Sequence, residues 1–186
     1  ALDPEVFKQV TRRDSYDKVI AGIAAARAAG FSPIKINAVS VKGLTEDQII
    51  PFAELARETD TEVRFIEFMP LDADGQWDRE KVLFADEIVA LLQAEFGPLE
   101  PVPAANPNAP ASDFRFADGR GKIGMIASVS KPFCSTCNRF RLTAEGKLRN
   151  CLFSLEEVDI RGLLRNGGAD EEVAEAMVAS IAAKNE

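Results

Sequence analysis

The residues best suited to chemistry in this 186-residue chain lie on one short stretch, FCSTCNRFRLTAEGKLRNCLF, from Phe133 to Phe153. It holds all three cysteines, Cys134, Cys137 and Cys151, in a C-x2-C-x13-C spacing, and the chain has no histidine. Arg139 to Thr143 and Lys147 to Cys151 alternate as strands do. Ala144-Glu145-Gly146 suits a three-residue turn with Gly in the left-handed position. A hairpin folded there sets Cys151 opposite Arg139 and near Cys137, so three thiols distant in sequence are expected to meet in space. Strand parity puts Arg139, Arg141, Arg149 and Cys151 on one face.

Three thiolates make a metal-binding set. Structural zinc takes four ligands from Cys and His, so zinc would need a carboxylate or a further stretch of chain for its fourth. A four-iron cluster is normally held by four cysteines. Three would leave one iron open to an outside ligand, the mark of a site that binds substrate or does chemistry. Two plainer readings compete. Free cysteine is commonly buried and inert, which leaves the C-x2-C spacing unexplained. A redox disulfide wants its C-x2-C pair at a helix start beside a βα unit, and it gives Cys151 no role. The arginines add a second feature. A guanidinium is a planar fork that binds phosphate oxygens bidentately, so arginines beside an open iron suit a phosphorylated substrate. An isolated Arg on an exposed hairpin is otherwise a solvated surface residue.

The upstream chain must position this hairpin. Asp3-Pro4-Glu5 predicts a helix start, with a short helix to about Val10 and a second from Asp14 or Ser15 to Gly30. Tyr16, Val19, Ile20 and Ile23 give the second helix an apolar face. A strand is expected over about Ile34 to Val39, a helix from a Thr45 cap with Pro51 delaying or kinking its start, and a strand over about Glu62 to Phe68. A fourth helix closes at Gly97. Alternating helices and strands argue for parallel strands with crossover helices. A complete eight-stranded barrel needs roughly 250 residues, so this chain reads as part of a barrel or open α/β sheet whose first half lies elsewhere. Residues 98–112, with five prolines, read as a connecting loop. Strands joined by a turn near Asp118–Gly121 follow, then the cysteine hairpin, then one short and one long helix. On the first strand Lys35 and Asn37 share a face, and Lys35 is a candidate phosphate or base contact if that face points inward. On the second strand Glu67 and Met69 share a parity and Arg64 takes the other.

Composition narrows the partners. Net charge is −8, from 22 Lys plus Arg against 30 Asp plus Glu, which argues against a nucleic-acid face. No apolar run approaches the ~18–20 residues of a membrane span, and no secretory signal is seen. An odd cysteine count argues for a reducing compartment. The expectation is a cytoplasmic protein with no nucleic-acid and no membrane partner. The sequence fixes no oligomeric state, and a homodimer stays open.

FCSTCNRFRLTAEGKLRNCLFS, with KIN and RFIEFMP upstream, closely resembles the GTP 3',8-cyclase family, radical S-adenosylmethionine enzymes that open molybdenum-cofactor biosynthesis. The resemblance covers nearly the whole chain. It implies an α/β fold: the C-terminal part of an incomplete (β/α) TIM-type barrel, plus a C-terminal α+β region carrying a cluster-binding β-hairpin. Residues 1–97 would be the second half of the barrel, and residues 98–186 the iron–sulfur and GTP-binding region. The family converts GTP to (8S)-3',8-cyclo-7,8-dihydroguanosine 5'-triphosphate by radical chemistry, using two 4Fe–4S clusters. Carried over by motif, Cys134, Cys137 and Cys151 would ligate the C-terminal cluster. Arg139, Phe140, Arg141 and Lys35 would contact GTP, and Met69 S-adenosylmethionine. The family's C-x3-C-x2-C motif and Gly-Gly tail are absent from this sequence. The resemblance therefore implies a fragment of roughly the second half, inactive alone. The rival readings are a zinc-stabilised structural module and another radical S-adenosylmethionine enzyme with an auxiliary cluster.

Overall fold

A computed structural model describes residues 1–71 and 75–184. The chain packs as two compact units, Ala1–Phe133 and Cys134–Glu186.

The first unit is built on a mixed five-stranded sheet. Its strands are β1 (Ile34–Ser40), β2 (Thr61–Glu67), β3 (Leu99–Val102), β4 (Ser112–Phe116) and β5 (Lys122–Ile126), in spatial order β1-β2-β5-β4-β3. β1, β2 and β5 are parallel; β4 and β3 add on antiparallel. The expected two parallel strands are thus three, because β5 returns to pair beside β2 after a long excursion. Residues 98–112 are a correction to the loop expectation, since they contain β3. Pro101 is tolerated there because β3 is an edge strand, where a missing N–H breaks no ladder bond on the solvent side.

Among the described residues this unit has four α-helices: α1 (Pro4–Thr11), α2 (Tyr16–Ala28), α3 (Ile49–Glu58) and α4 (Ala85–Phe96). Asp3 caps α1 as its sequence predicts, accepting from the Glu5 and Val6 amides at 2.8 and 2.9 Å. Thr45 does not cap α3. A 3-10 turn, Glu46–Gln48, intervenes, and the Thr45 hydroxyl instead accepts from the Val41 amide and donates to the Val39 carbonyl. Pro51 sits in the first turn of α3, where amides have no helical partner to lose. The apolar stripe expected on α2 forms but is not buried; Val19 and Ile20 are exposed.

The sheet has two unlike faces. On β2, Thr61, Val63, Phe65 and Glu67 are buried, while Glu62, Arg64 and Ile66 on the other face are half-buried. Val63 and Phe65 pair with Ile123 and Met125, and these four pack with Phe52 of α3 and Ile88 of α4. Burying each such side chain contributes about 1.5–3 kcal/mol. The opposite face is charged. Glu62 lies between Lys35 at 3.4 Å and Lys122 at 3.2 Å, and Lys122 also meets Asp113 at 2.8 Å. Gly124 lets Arg64 lie across β5: a Cβ there would stand 2.9 Å from Arg64 Cγ and 3.0 Å from Asp113 Oδ1.

Glu67 is the exception on the apolar face. It is 1% exposed. Its carboxylate accepts from the Ala85 amide at the start of α4, from the Val129 and Ser130 amides, and from the Ser130 hydroxyl. Glu67→Ala would leave the buried Ala85 amide and the half-buried Val129 amide without their acceptor, at about 1–3 kcal/mol for each group left dry, while the exposed Ser130 can turn to water. We expect a loss of at least about 2 kcal/mol of unfolding free energy in urea melts. Glu67→Gln, which keeps one carbonyl acceptor, should lose less.

Candidate functional site

The second unit carries the cysteine hairpin. β6 (Arg141–Leu142) and β7 (Lys147–Arg149) pair antiparallel, and β8 (Val158–Asp159) pairs with β7. α5 (Ile160–Arg165) and α6 (Asp170–Ala182) follow. The turn comes where the sequence places it. Gly146 adopts φ 78°, and a Cβ there would fall 2.5 Å from Arg161 Cβ at the start of α5. Glycine is therefore required twice, by the turn and by the close approach. Arg141 faces Arg149 across the ladder, as parity predicts.

The ladder is short. Its β6–β7 pairs are Arg141↔Arg149 and Leu142↔Leu148, so it stops before Arg139 would face Cys151. Cys134 begins a 3-10 turn, Cys134–Thr136, and is exposed; Cys137 and Cys151 are half-buried, and all three are free thiols. Among the described residues, no three His, Cys, Asp or Glu side chains are gathered closely enough to hold a metal ion. The expected meeting of the three thiols is thus not seen among the described residues. The donor set still suits a thiophilic metal, because thiolates are what such a metal binds. Burial pushes the Cys137 thiol up, but the Arg139 amide and guanidinium and the Lys184 ammonium outweigh it and bring it down to about 7. Arg139 Nε lies 3.4 Å and Lys184 Nζ 3.2 Å from its sulfur.

The cations on the hairpin divide into two kinds. Arg149 donates through Nε to Glu157 Oε1 at 2.7 Å, and Lys147 meets Glu157 Oε2 at 2.9 Å. These two hold the Glu157 carboxyl below its usual range, Lys147 most. Arg141, opposite Arg149, has no acidic partner among the described residues. Phe140 is 39% exposed, large for an aromatic ring on a small unit. Lys184 and Glu157 were not legible as site residues: one lies near the chain's end and the other beyond the hairpin, and no spacing motif links either to the cysteines.

The remaining candidates lie in the first unit. Lys35 stands on the charged face of the sheet, paired with Glu62. Burial alone would raise the Glu62 carboxyl, but Lys122 and then Lys35 hold it below its usual range. Arg64 shares that face, and its buried Nε has no hydrogen-bond partner among the described residues. The parity conflict between Arg64 and Met69 disappears because β2 ends at Glu67, leaving half-buried Met69 outside the strand. Its carbonyl accepts from the Leu71 amide at 2.8 Å. Among the described residues no helix is long and apolar enough to cross a membrane.

In the metal-free chain, iodoacetamide labelling of Cys137 should rise with pH around a midpoint near 7. Arg139→Ala removes a cation that favours the thiolate, so the midpoint should move upward. An unchanged midpoint would show that the guanidinium does not act on the thiol.

Comparison with known proteins adds the family. The chain is 44% identical to a GTP 3',8-cyclase of Rhodopirellula baltica over 99% of its own length and 52% of the relative's. It is 45% identical to a GTP 3',8-cyclase of Streptomyces coelicolor, over 93% of this chain and 51% of that one. It is 46% identical to GTP 3',8-cyclase 2 of Mycobacterium bovis, over 95% and 49% respectively. The chain thus spans about half the length of the curated relatives it matches. Residues 61–186, which include the whole cysteine hairpin, match the family described as Molybdenum Cofactor Synthesis C, and the chain belongs to that family.

Proposed function

We propose that this chain is the C-terminal portion of a GTP 3',8-cyclase, a radical S-adenosylmethionine enzyme of molybdenum-cofactor biosynthesis working in the cytoplasm. The observation that carries the reading is the hairpin itself. Three free thiols share it with Arg141, a cation that Glu157 leaves unneutralised while it engages Arg149 and Lys147. An unpaired guanidinium on the same hairpin as three thiols suits an anionic substrate held next to a metal.

On this reading Cys134, Cys137 and Cys151 hold a 4Fe–4S cluster with one iron left open, which would supply a coordination position for the guanine of GTP. Arg139 and Arg141 bind the nucleotide's anionic part, and Phe140 offers an apolar surface for the base. Lys35, on the charged face of the sheet, is a further GTP contact, and that face would be the inside of a barrel completed elsewhere. Met69 contacts S-adenosylmethionine. Residues 1–97 supply barrel and residues 98–186 the cluster and GTP region. This is a division of labour rather than of packing, because β3, β4 and β5 extend the same sheet as β1 and β2. The radical-generating cluster belongs to a segment outside this sequence, so the chain alone does not turn over.

The test is anaerobic reconstitution with iron and sulfide, with and without GTP. About four irons and four sulfides per chain, with a spectrum that GTP perturbs, is the expected result. Arg141→Ala should weaken the GTP response at least tenfold while leaving the iron in place; Arg149→Ala, whose cation is already engaged by Glu157, should weaken it far less. Tight zinc with no GTP response would overturn the reading in favour of a structural module.

A further inference from the structure

α6 reaches both arms of the cysteine hairpin. The Ser180 carbonyl, in its last turn, accepts from Asn150 Nδ2 at 3.0 Å, on the arm that leads into Cys151. Just beyond the helix, Lys184 Nζ donates to the Cys137 carbonyl at 2.7 Å, the Arg139 carbonyl at 3.0 Å and Cys137 Sγ at 3.2 Å. An ammonium has three N–H donors and no acceptor. Each of the three has an acceptor here, and all three acceptors belong to one turn of the loop. Residues 137–140 lie outside the β6–β7 ladder, so no strand partner fixes their peptide planes. Two of those carbonyls converge on the Lys184 cation instead. The cation also sits at the C-terminal end of α6, where the helix dipole favours positive charge. A lysine near the end of a chain is ordinarily a solvated one; this one is half-buried.

We propose that Lys184 is a positioning residue for the cysteine loop. Its ammonium gathers the Cys137 and Arg139 carbonyls and the Cys137 sulfur, and so shapes the loop before any metal arrives. The link to iron rests on the cluster reading given above; the shaping itself is a property of the metal-free chain. Hydrogen bonds to ligand sulfurs are one of the determinants of a cluster's reduction potential. A donor retained on Cys137 would therefore also raise the potential of the bound cluster.

The experiment compares the parent chain with Lys184→Met, which keeps the length and loses the donors, and Lys184→Arg, which keeps cation and donors. In the metal-free chain, hydrogen exchange in peptides spanning residues 134–141 should quicken several-fold in Lys184→Met, while β7 stays as protected as in the parent. Lys184→Arg should stay near the parent. Unchanged loop exchange in Lys184→Met overturns the proposal whatever the iron does. Equal loosening of β7 also overturns it, since Lys184 would then serve the unit's stability alone. After reconstitution, Lys184→Met should give up iron to a chelator several-fold faster and show a more negative midpoint potential. Equal iron retention and equal potential despite a loosened loop would overturn the link between loop shape and iron. A parent chain that takes up no iron overturns the cluster reading instead, and the exchange comparison still decides the role of Lys184.

Discussion

The Glu67 carboxylate accepts hydrogen bonds from two separate parts of the chain, at the C-terminal end of the parallel strands. A buried carboxylate is costly unless its oxygens are satisfied, and here backbone amides satisfy both. The arrangement fixes where α4 begins and how the chain turns after β5. In sequence, Met69 lies two residues after Glu67, and Val129 and Ser130 lie five and four residues before Cys134. The open face of the same strand carries the charges, so β2 separates an apolar packing surface from an ionic one by alternation alone.

The second unit depends on fewer contacts. Leu148, Ile160 and Ser180 are its buried residues among those described. Units this small usually need a cross-link or a metal to be independently stable. Its hairpin is instead braced by one close glycine contact, by the Glu157 ion pairs and by the end of α6. On the proposed function, iron bound by three thiolates would add the missing restraint and couple folding to metal supply.

What could be read from the sequence was mostly local. The Asp3 cap, the alternation of helix and strand, and the hairpin register at Arg141 and Arg149 all follow from neighbouring residues and turn chemistry. β3 was hidden because prolines in a run signal a loop unless the strand lies at an edge, and edge position is a tertiary fact. The pairing of β5 with β2 was hidden for the same reason. Thr45 has the right type and place for a cap, yet a competing turn at the end of β1 takes its hydroxyl. Among the candidate site residues, the cysteines and arginines were visible as a motif. Glu157 and Lys184 were not, because each acts through a contact that only folding creates.

The order of the strands has a consequence for how the protein is made. Glu62 of β2 and Lys122 of β5 are ladder partners 60 residues apart, and closing so long a loop is slow. At ribosomal rates of ~5–20 residues per second, roughly 3–12 s separate the emergence of the two. Throughout that interval β2 presents an unpaired edge, open to other nascent chains. The cysteines are translated after β5, so the thiols leave the ribosome once the strand that completes the sheet has already been made. On the proposed function, metal capture by the nascent chain would come late, after the stretch of synthesis in which the sheet is most exposed to misassembly.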